Sequence, residues 1–555
     1  MSVVDKLLTG GAKRAFSKLV TKELSKLSAN SQSTFERQRS ETRWRGASQV
    51  LRSLASWLPT LGSGRTDLPR YERERMAARS YDAFRNQPIA RAAISRCRTS
   101  VVGTGLMMVP SVDGATLGIS EEAAEELNAK IATEWHLYYD NPSEVDIEAT
   151  LDGSGQQSLA FATALLAGDV WALTPFKERL GGIYGLKIQL IDPARVSNPD
   201  NLPDTQTLQD GVEITVDGEP VAIYIRNRHP DDRIVGVFDA WVRRNIFAPT
   251  GERRVFQVWN DKDRIGSTRG APYLAPILEP LQTLEQYSRA ELLAAVVSAM
   301  FTIFIKKEQQ TVDERGDPIP VIQGNTALGE AANGIALAPA AVIDLAPGED
   351  IAQANPARPN ANYDPFFLAI VTQIGAALEI PIDELLLRYN SSYSAARAAM
   401  LQAWRFYTMR RWWLVQQFCQ PHYALWFQEA VARGRIPAIN FADPIRRAAY
   451  TQAIWVGPAR GAMDETQEAT AAGKRIDIGV SNETIETMQL MGEPWLGVYQ
   501  QRVRELKRRR ADGTQLAPAP GQAAPPISQT PAQQRPSTPP PPEEDPDDEQ
   551  ERETP

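Results

Sequence analysis

Residues 385–435 read LLLRYNSSYSAARAAMLQAWRFYTMRRWWLVQQFCQPHYALWFQEAVARGR, and the fold turns on them. From Ser392 to Gln420 there is neither proline nor glycine, which permits a helix of about 40 Å. Asn390, Ser391 and Ser392 place amide and hydroxyl oxygens just ahead of an alanine-rich start, where the orphan N–H groups of a first turn need acceptors. A loop feeding a long helix is expected. Met400, Leu401, Trp404, Tyr407, Leu414, Val415 and Phe418 form one apolar stripe, while Phe406, Trp412 and Trp413 project from other faces. A helix apolar nearly all round must be covered on more than one side, in a large core or between subunits. Against Glu429 alone stand Arg388, Arg397, Arg405, Arg410, Arg411, Arg433 and Arg435, in a chain of net charge −8. Two readings fit: a core helix whose arginines snorkel to its ends, or a polyanion-facing helix packed between neighbours.

Working outward, 555 residues and an apolar fraction of 43% suit several domains with a real core. Cys97 and Cys419 are too few for a disulfide framework or a four-cysteine metal site, which points to a reducing compartment. The longest strongly apolar run, Leu292 to Ile305, ends in Lys306 and Lys307 and falls short of the roughly 20 residues a membrane span requires. Met1 to Gly10 lacks the apolar core of a secretory signal.

Residues 1–69 read as a basic arm, in which Phe16, Leu19, Val20, Leu24 and Leu27 recur at helical spacing among lysines; such a segment suits an acidic partner, nucleic acid or a membrane surface, or else packs on its own domain or stays mobile. From Tyr71 the pattern gives a helix, a stop at Asn86-Gln87-Pro88, a second helix to about Thr99 and a strand after Gly105. Ser120–Tyr139 and Ser158–Leu166 are helical. β-like runs follow at Val170–Phe176, Leu186–Ile191, Val212–Val216, Val221–Arg226 and Val255–Val258, with Asp217-Gly218 as a hairpin turn. An α+β domain over 70–265 results. A long helix from about Pro276 to Met300, with Leu278, Leu281, Leu284, Leu292 and Leu293 facing inward, gives way to a strand near Phe301–Ile305. A Gly- and Pro-rich module follows, then a helix over Tyr363–Glu379. After Arg435 the chain reads as helical and polar. Beyond Ala511 it is proline-rich and then acidic, EEDPDDEQERE, with too little apolar surface to offset its ordering entropy.

Nothing here carries catalysis. There is no phosphate loop, no HExxH and no GxSxG, and His136, His229 and His422 are dispersed. Gly103-Thr-Gly105 follows a helix instead of a strand, which inverts the dinucleotide fingerprint. Asp464, Glu465 and Glu468 are the one acidic group that could be weighed for Mg²⁺. No catalytic residue, metal or cofactor is expected.

The run NSSYSAARAAMLQAWRFY, with Cys419-Gln420-Pro421 after it, resembles the lambda-type portal proteins of tailed bacteriophages. The resemblance extends from about Arg73 to Glu505. It is carried also by NQPIARAAISR and VVGTGL near the start, and by Ile188–Pro193, Gly211–Glu213 and His229-Pro230. Further blocks are VFQVWNDKDRIGSTRGAPYLAPILEPL, YSRAELLAAVVSAMFTIFI and WVGPARGAMDETQEA, although Asp464-Glu465 stands where an Asp-Pro pair is common. The shared order of the blocks makes the likeness specific.

The resemblance implies a portal fold: a 70–265 wing, a first stem helix within 266–305, a clip at 306–358 and a second stem helix within 359–381. It implies a tunnel loop and long helix over 382–435 and a helical crown over 436–510, followed by the tail over 511–555 whose composition makes it disordered. It implies a dodecameric ring at one capsid vertex, assembled in the bacterial cytoplasm and retained in the virion. Through it terminase packages double-stranded DNA that is later ejected. Major capsid, scaffold, head-completion and tail adaptor proteins would be its partners, and it would not be an enzyme. Arg388 and Arg397, then Arg405, with Asn390 in the same loop, are expected to face the DNA channel. Sparse cations suit passage, since each neutralised phosphate adds salt-dependent affinity that would hold the duplex. Two alternatives are a different capsid structural or adaptor protein, and a metal-dependent nucleic-acid enzyme using Asp464 and Glu468.

Overall fold

The structure is a computed structural model and describes residues 62–232, 238–300, 304–307, 349–352, 362–389, 392–461 and 464–514, with positions 56 and 59. The chain divides into two compact units, one reaching Thr466 and including Leu490–Gly492, the other formed by Gln467–Gln489 and the residues from Glu493 on. Mixed helix and sheet make it α+β.

The first unit opens with α1 (Arg70–Asn86) and α2 (Pro88–Val101), parted at Gln87, whose extended backbone is the conformation a following proline favours. β1 (Met107–Pro110) precedes α3 (Glu121–Tyr139), capped by Ser120, whose hydroxyl accepts the Ala123 N–H at 3.3 Å. α4 (Gly153–Ala167) begins well before the expected Ser158. Asp152 caps it by accepting the Gly155 N–H at 2.7 Å, and Gly153 lies against the Tyr139 ring, where a Cβ would come within 2.2 Å. Glycines that lower helix propensity are here demanded by packing.

Two antiparallel sheets follow. β2 (Asp169–Leu173), β3 (Gln189–Ile191) and β8 (Val255–Trp259) are ordered β3-β2-β8, and β4 (Leu208–Gln209), β5 (Val212–Ile214), β6 (Pro220–Arg226) and β7 (Trp241–Asn245) are ordered in sequence. The Asp217-Gly218 turn sits where expected, with the Thr215 N–H on the Glu219 carbonyl at 2.9 Å. β7 escaped the sequence reading because it is an exposed edge strand carrying Arg243 and Arg244, and charge on an edge reads as loop.

α5 (Leu278–Met300) leads to β9 (Phe304–Lys307), which pairs antiparallel with β10 (Glu349–Ala352). Most of the 306–358 module lies outside the described residues, as does the N-terminal arm before Gly62 apart from the two positions given. α6 (Tyr363–Ala377) packs along α5: the Tyr287 ring stacks on Tyr363 at 5.6 Å, and the Tyr363 hydroxyl bonds to Ser288 Oγ at 3.0 Å. The inward reading of α5 holds for Leu281 and Leu284 but fails for Leu292 and Leu293, which are 68% and 64% exposed. Tyr363, the first residue of α6, meets α5 at Ser288, so both leucines lie past the start of α6 and are exposed among the described residues.

α7 (Tyr393–Leu414) and α8 (Gln420–Ala432) are one helical stretch of about 60 Å, continuous through a π turn at Val415–Cys419. Pro421 does not end the helix. It has no N–H to donate and its ring crowds the preceding turn; the wider turn, with the Gln420 N–H on the Val415 carbonyl, absorbs that change. α9 (Pro444–Tyr450) and β11 (Ala453–Val456) complete the unit. The helical reading of 436–510 fails at β11, which pairs with β1, Met107 opposite Val456. An Ile-Trp-Val run suits a strand, but its partner lies too far away in sequence for local pattern to reveal.

The main core gathers Ile94, Ile131, Trp135, Leu284, Ile374 and Trp426 from successive helices, and a smaller one places Trp171, Val212, Ile223 and Ile246 around the second sheet. Buried charge joins these parts. Arg269 grips Asp169 through two bonds of 2.7 and 3.1 Å and donates to the carbonyls of Pro193, Val196 and Asp210, each at 3.0 Å. The Asp210 carboxylate accepts Arg73 at 2.5 and 3.2 Å. Burial opposes ionisation of Asp210, yet Arg269 and Arg73 outweigh it and hold the carboxyl below its ordinary pKa.

The second unit contains α10 (Glu465–Asp477) for most of its length, α11 (Glu483–Met491) up to Gln489, and α12 (Trp495–Ala511). Arg475 clamps the buried Glu486 with bonds of 2.8 and 2.6 Å, linking α10 to α11. No residue of α12 is buried.

Candidate functional site

The loop before α7 turns at Leu387, which adopts a left-handed φ of 53°. Leu387 and Tyr389 are exposed. Arg388 is half exposed and lies 3.5 Å from the Asp364 carboxylate. Asn390 lies outside the described residues. Ser392 caps α7 as its position suggested, accepting the Ala395 N–H at 3.4 Å. Arg397 is half-buried in the first turns, and Arg405 is exposed two turns further on.

The remaining arginines of the stretch answer to their own chain, which corrects the polyanion-facing reading for them. Arg410 is 5% exposed; it donates to Asn260 Oδ1 at 2.7 Å and lies 4.5 Å from the Tyr273 and Phe406 rings and 5.0 Å from Trp413. Aromatic faces stand in for a carboxylate there. Arg411 donates to the carbonyls of Ser100, Val101 and Pro458 at 3.0, 3.2 and 3.1 Å, closing the C-terminal end of α2, and burial pulls its pKa down to about 10. Gly457 makes room for it: a Cβ there would come within 2.4 Å of Arg411 Nε. Arg433 pairs with Glu429 and Glu178, and Arg435 holds Glu134 at 2.5 and 2.8 Å. Acceptors remote in sequence, Asn260 for Arg410, Ser100, Val101 and Pro458 for Arg411, Glu178 for Arg433 and Glu134 for Arg435, could not be read from a local charge count.

With those cations accounted for, α7 is two-faced. Ala403, Phe406, Tyr407, Arg410, Leu414 and, beyond it, Phe418 are buried. The opposite face bears Leu401 at 40%, Met409 at 44% and Trp412 at 61% exposure. Arg405 is one helical turn from both Leu401 and Met409, and has no ion pair among the described residues. Trp412 borders a cleft of about 390 Å³ lined also by Arg253, Trp259, Lys262, Trp413 and Gln416; the Lys262 ammonium lies 5.2 Å from the Trp259 ring.

His422 is buried in the aromatic core, its Nε2 2.8 Å from the Tyr138 hydroxyl, and burial pulls its pKa down to about 3. Cys97 and Cys419 are buried free thiols. Among the described residues no three His, Cys, Asp or Glu side chains converge as metal ligands, Asp464, Glu465 and Glu468 included, and no helix is long and apolar enough to cross a membrane.

These features define a long helix that spends Arg410, Arg411, Arg433 and Arg435 inside its own subunit and leaves Leu401, Met409 and Trp412 exposed on the opposite face. Residues 51–411 match the family described as "Phage portal protein, lambda family", and the chain belongs to that family. It is 25% identical over 481 residues to portal protein B of Escherichia phage lambda, covering 83% of this chain and 88% of that one. To the portal protein of Escherichia phage N15 it is 26% identical over 480 residues, covering 83% and 89%. A looser likeness, 11% identity and TM-score 0.39 over 78% of this chain and 97% of the other, is to a chain in the neck of a native GTA particle computed with C12 symmetry.

Proposed function

We propose that this chain is the subunit of a dodecameric ring at one capsid vertex, through which terminase packages double-stranded DNA and through which the genome later leaves. The carrying observation is the bare apolar stripe of α7, Leu401, Met409 and Trp412, repeated on α5 by Leu292, Leu293 and Val296. Surface of this kind is covered by neighbouring copies. Residues 70–265 form the wing, 266–305 and 359–381 carry the stem helices, 306–358 the clip and 382–435 the tunnel loop and helix. The crown lies within 436–510; because β11 pairs with β1, this reading moves 453–456 to the wing.

Arg388, Asn390 and Arg397, at or near the loop, face the lumen. The sequence groups Arg405 with them, but its place amid Leu401, Met409 and Trp412 favours the seam between subunits, where it meets a neighbour's acceptor. Few lumen cations keep the duplex moving. The ring is a conduit and docking platform for capsid, scaffold, head-completion and tail proteins, while ATP hydrolysis belongs to terminase; it is assembled in the host cytoplasm and retained in the virion. Charge reversal at Arg397 tests the lumen: rings should still form while packaging slows or aborts. Loss of the ring instead would make Arg397 structural.

A further inference from the structure

The second unit carries a charge pattern that the portal reading does not use. Along α12 the exposed cations are Arg502, Arg504, Lys507, Arg508, Arg509 and Arg510, against Glu505 as the helix's one acid. Cations near a helix C-terminus are favoured by the dipole, but that effect is confined to the last turn and does not call for Arg502 and Arg504. Glu505 is bonded to Gln501 at 2.9 Å, and no salt bridge holds the six cations among the described residues. In the sequence that follows, residues 515–542 carry a single charge, Arg535, before Glu543, Glu544, Asp545, Asp547, Asp548, Glu549, Glu551 and Glu553 arrive together, with Arg552 as the one cation among them. The acidic block nearly matches the helix in magnitude and opposes it in sign.

We propose that residues 543–553 fold back on the basic end of α12 and occupy it in place of nucleic acid. The neutral spacer makes this feasible: even as a random coil, a segment of that length spans about 30 Å, and tethering gives the acidic block an effective concentration of about a millimolar. Several carboxylates on a short segment present lysine and arginine with closely spaced negative charge, as a phosphate backbone does. The tail thus caps a surface that would otherwise hold DNA, the opposite of what a conduit needs. The contact requires only the second unit and its tail, so it stands or falls independently of ring formation.

The test uses the full chain, a chain ending at Thr514, and a full-length variant with the acids of 543–553 changed to their amides. Two readouts are taken at low salt: zero-length carbodiimide cross-linking at Lys507, mapped by mass spectrometry, and affinity for a short DNA duplex. The expected result is a cross-link from Lys507 to residues 543–553 that disappears in 0.5 M salt, together with roughly tenfold tighter DNA binding in both altered chains, steeper in its salt dependence. In the shortened chain, Arg508→Glu with Arg509→Glu should abolish the gain. Absence of the cross-link, or equal DNA affinity with and without the acidic block, overturns the proposal.

Discussion

Replacing Trp412 with alanine separates what the subunit needs for itself from what it needs from a neighbour. A large aromatic side chain buries about 150–250 Å² when fully covered. Trp412 is 61% exposed, so about 100–150 Å² awaits cover. At about 25 cal/mol per Å² this is worth about 3 kcal/mol per subunit contact, an upper figure because the variant's surface is not fully lost. Taking about 2 kcal/mol as the working value, each contact weakens about thirtyfold. Inside the subunit the same truncation should cost under about 1 kcal/mol, since mostly exposed positions seldom matter more. Mass photometry across a concentration series reads assembly, and thermal unfolding of dilute subunit reads stability. Assembly should move to markedly higher concentration with Tm nearly unchanged. A large fall in the dilute subunit's Tm, or assembly identical to the parent's, refutes the reasoning.

Arg269→Ala should destabilise the dilute subunit by about 3–5 kcal/mol, because Asp169 and part of the Asp210 field are left buried without their cation; urea unfolding checks it. For His422 the folded pKa of about 3 lies below the unfolded 6.5. The unfolded chain therefore takes up a proton below pH 6.5 that the folded chain refuses. Stability is full above that pH and falls by about 1.4 kcal/mol per unit as pH drops toward 3; His422→Gln should flatten the decline relative to the parent in matched denaturation series. Arg405→Glu should impair ring assembly, whereas Arg397→Glu should leave rings intact and reduce packaged DNA, as scored by nuclease protection after packaging with terminase and ATP.

The elements that local chemistry dictates were legible in the sequence. Ser120 and Ser392 cap their helices, Gln87-Pro88 parts α1 from α2, and Asp217-Gly218 turns a hairpin. What escaped depended on partners remote in sequence or absent from the chain. β11 needs β1, and Arg411 needs the end of α2 and a glycine at 457. Leu292 and Leu293 follow the apolar period of a core-facing helix, yet among the described residues they stand exposed. Period alone does not tell whether the cover comes from the same molecule. The arginine count over 388–435 signalled charge, and only geometry showed that Arg410, Arg411, Arg433 and Arg435 brace the subunit.

Electron-microscope class averages of the purified full-length chain test the central claim most directly. The account predicts closed rings with a central opening wide enough for duplex DNA. Solitary compact particles at every concentration, or assemblies with no axial opening, would contradict it.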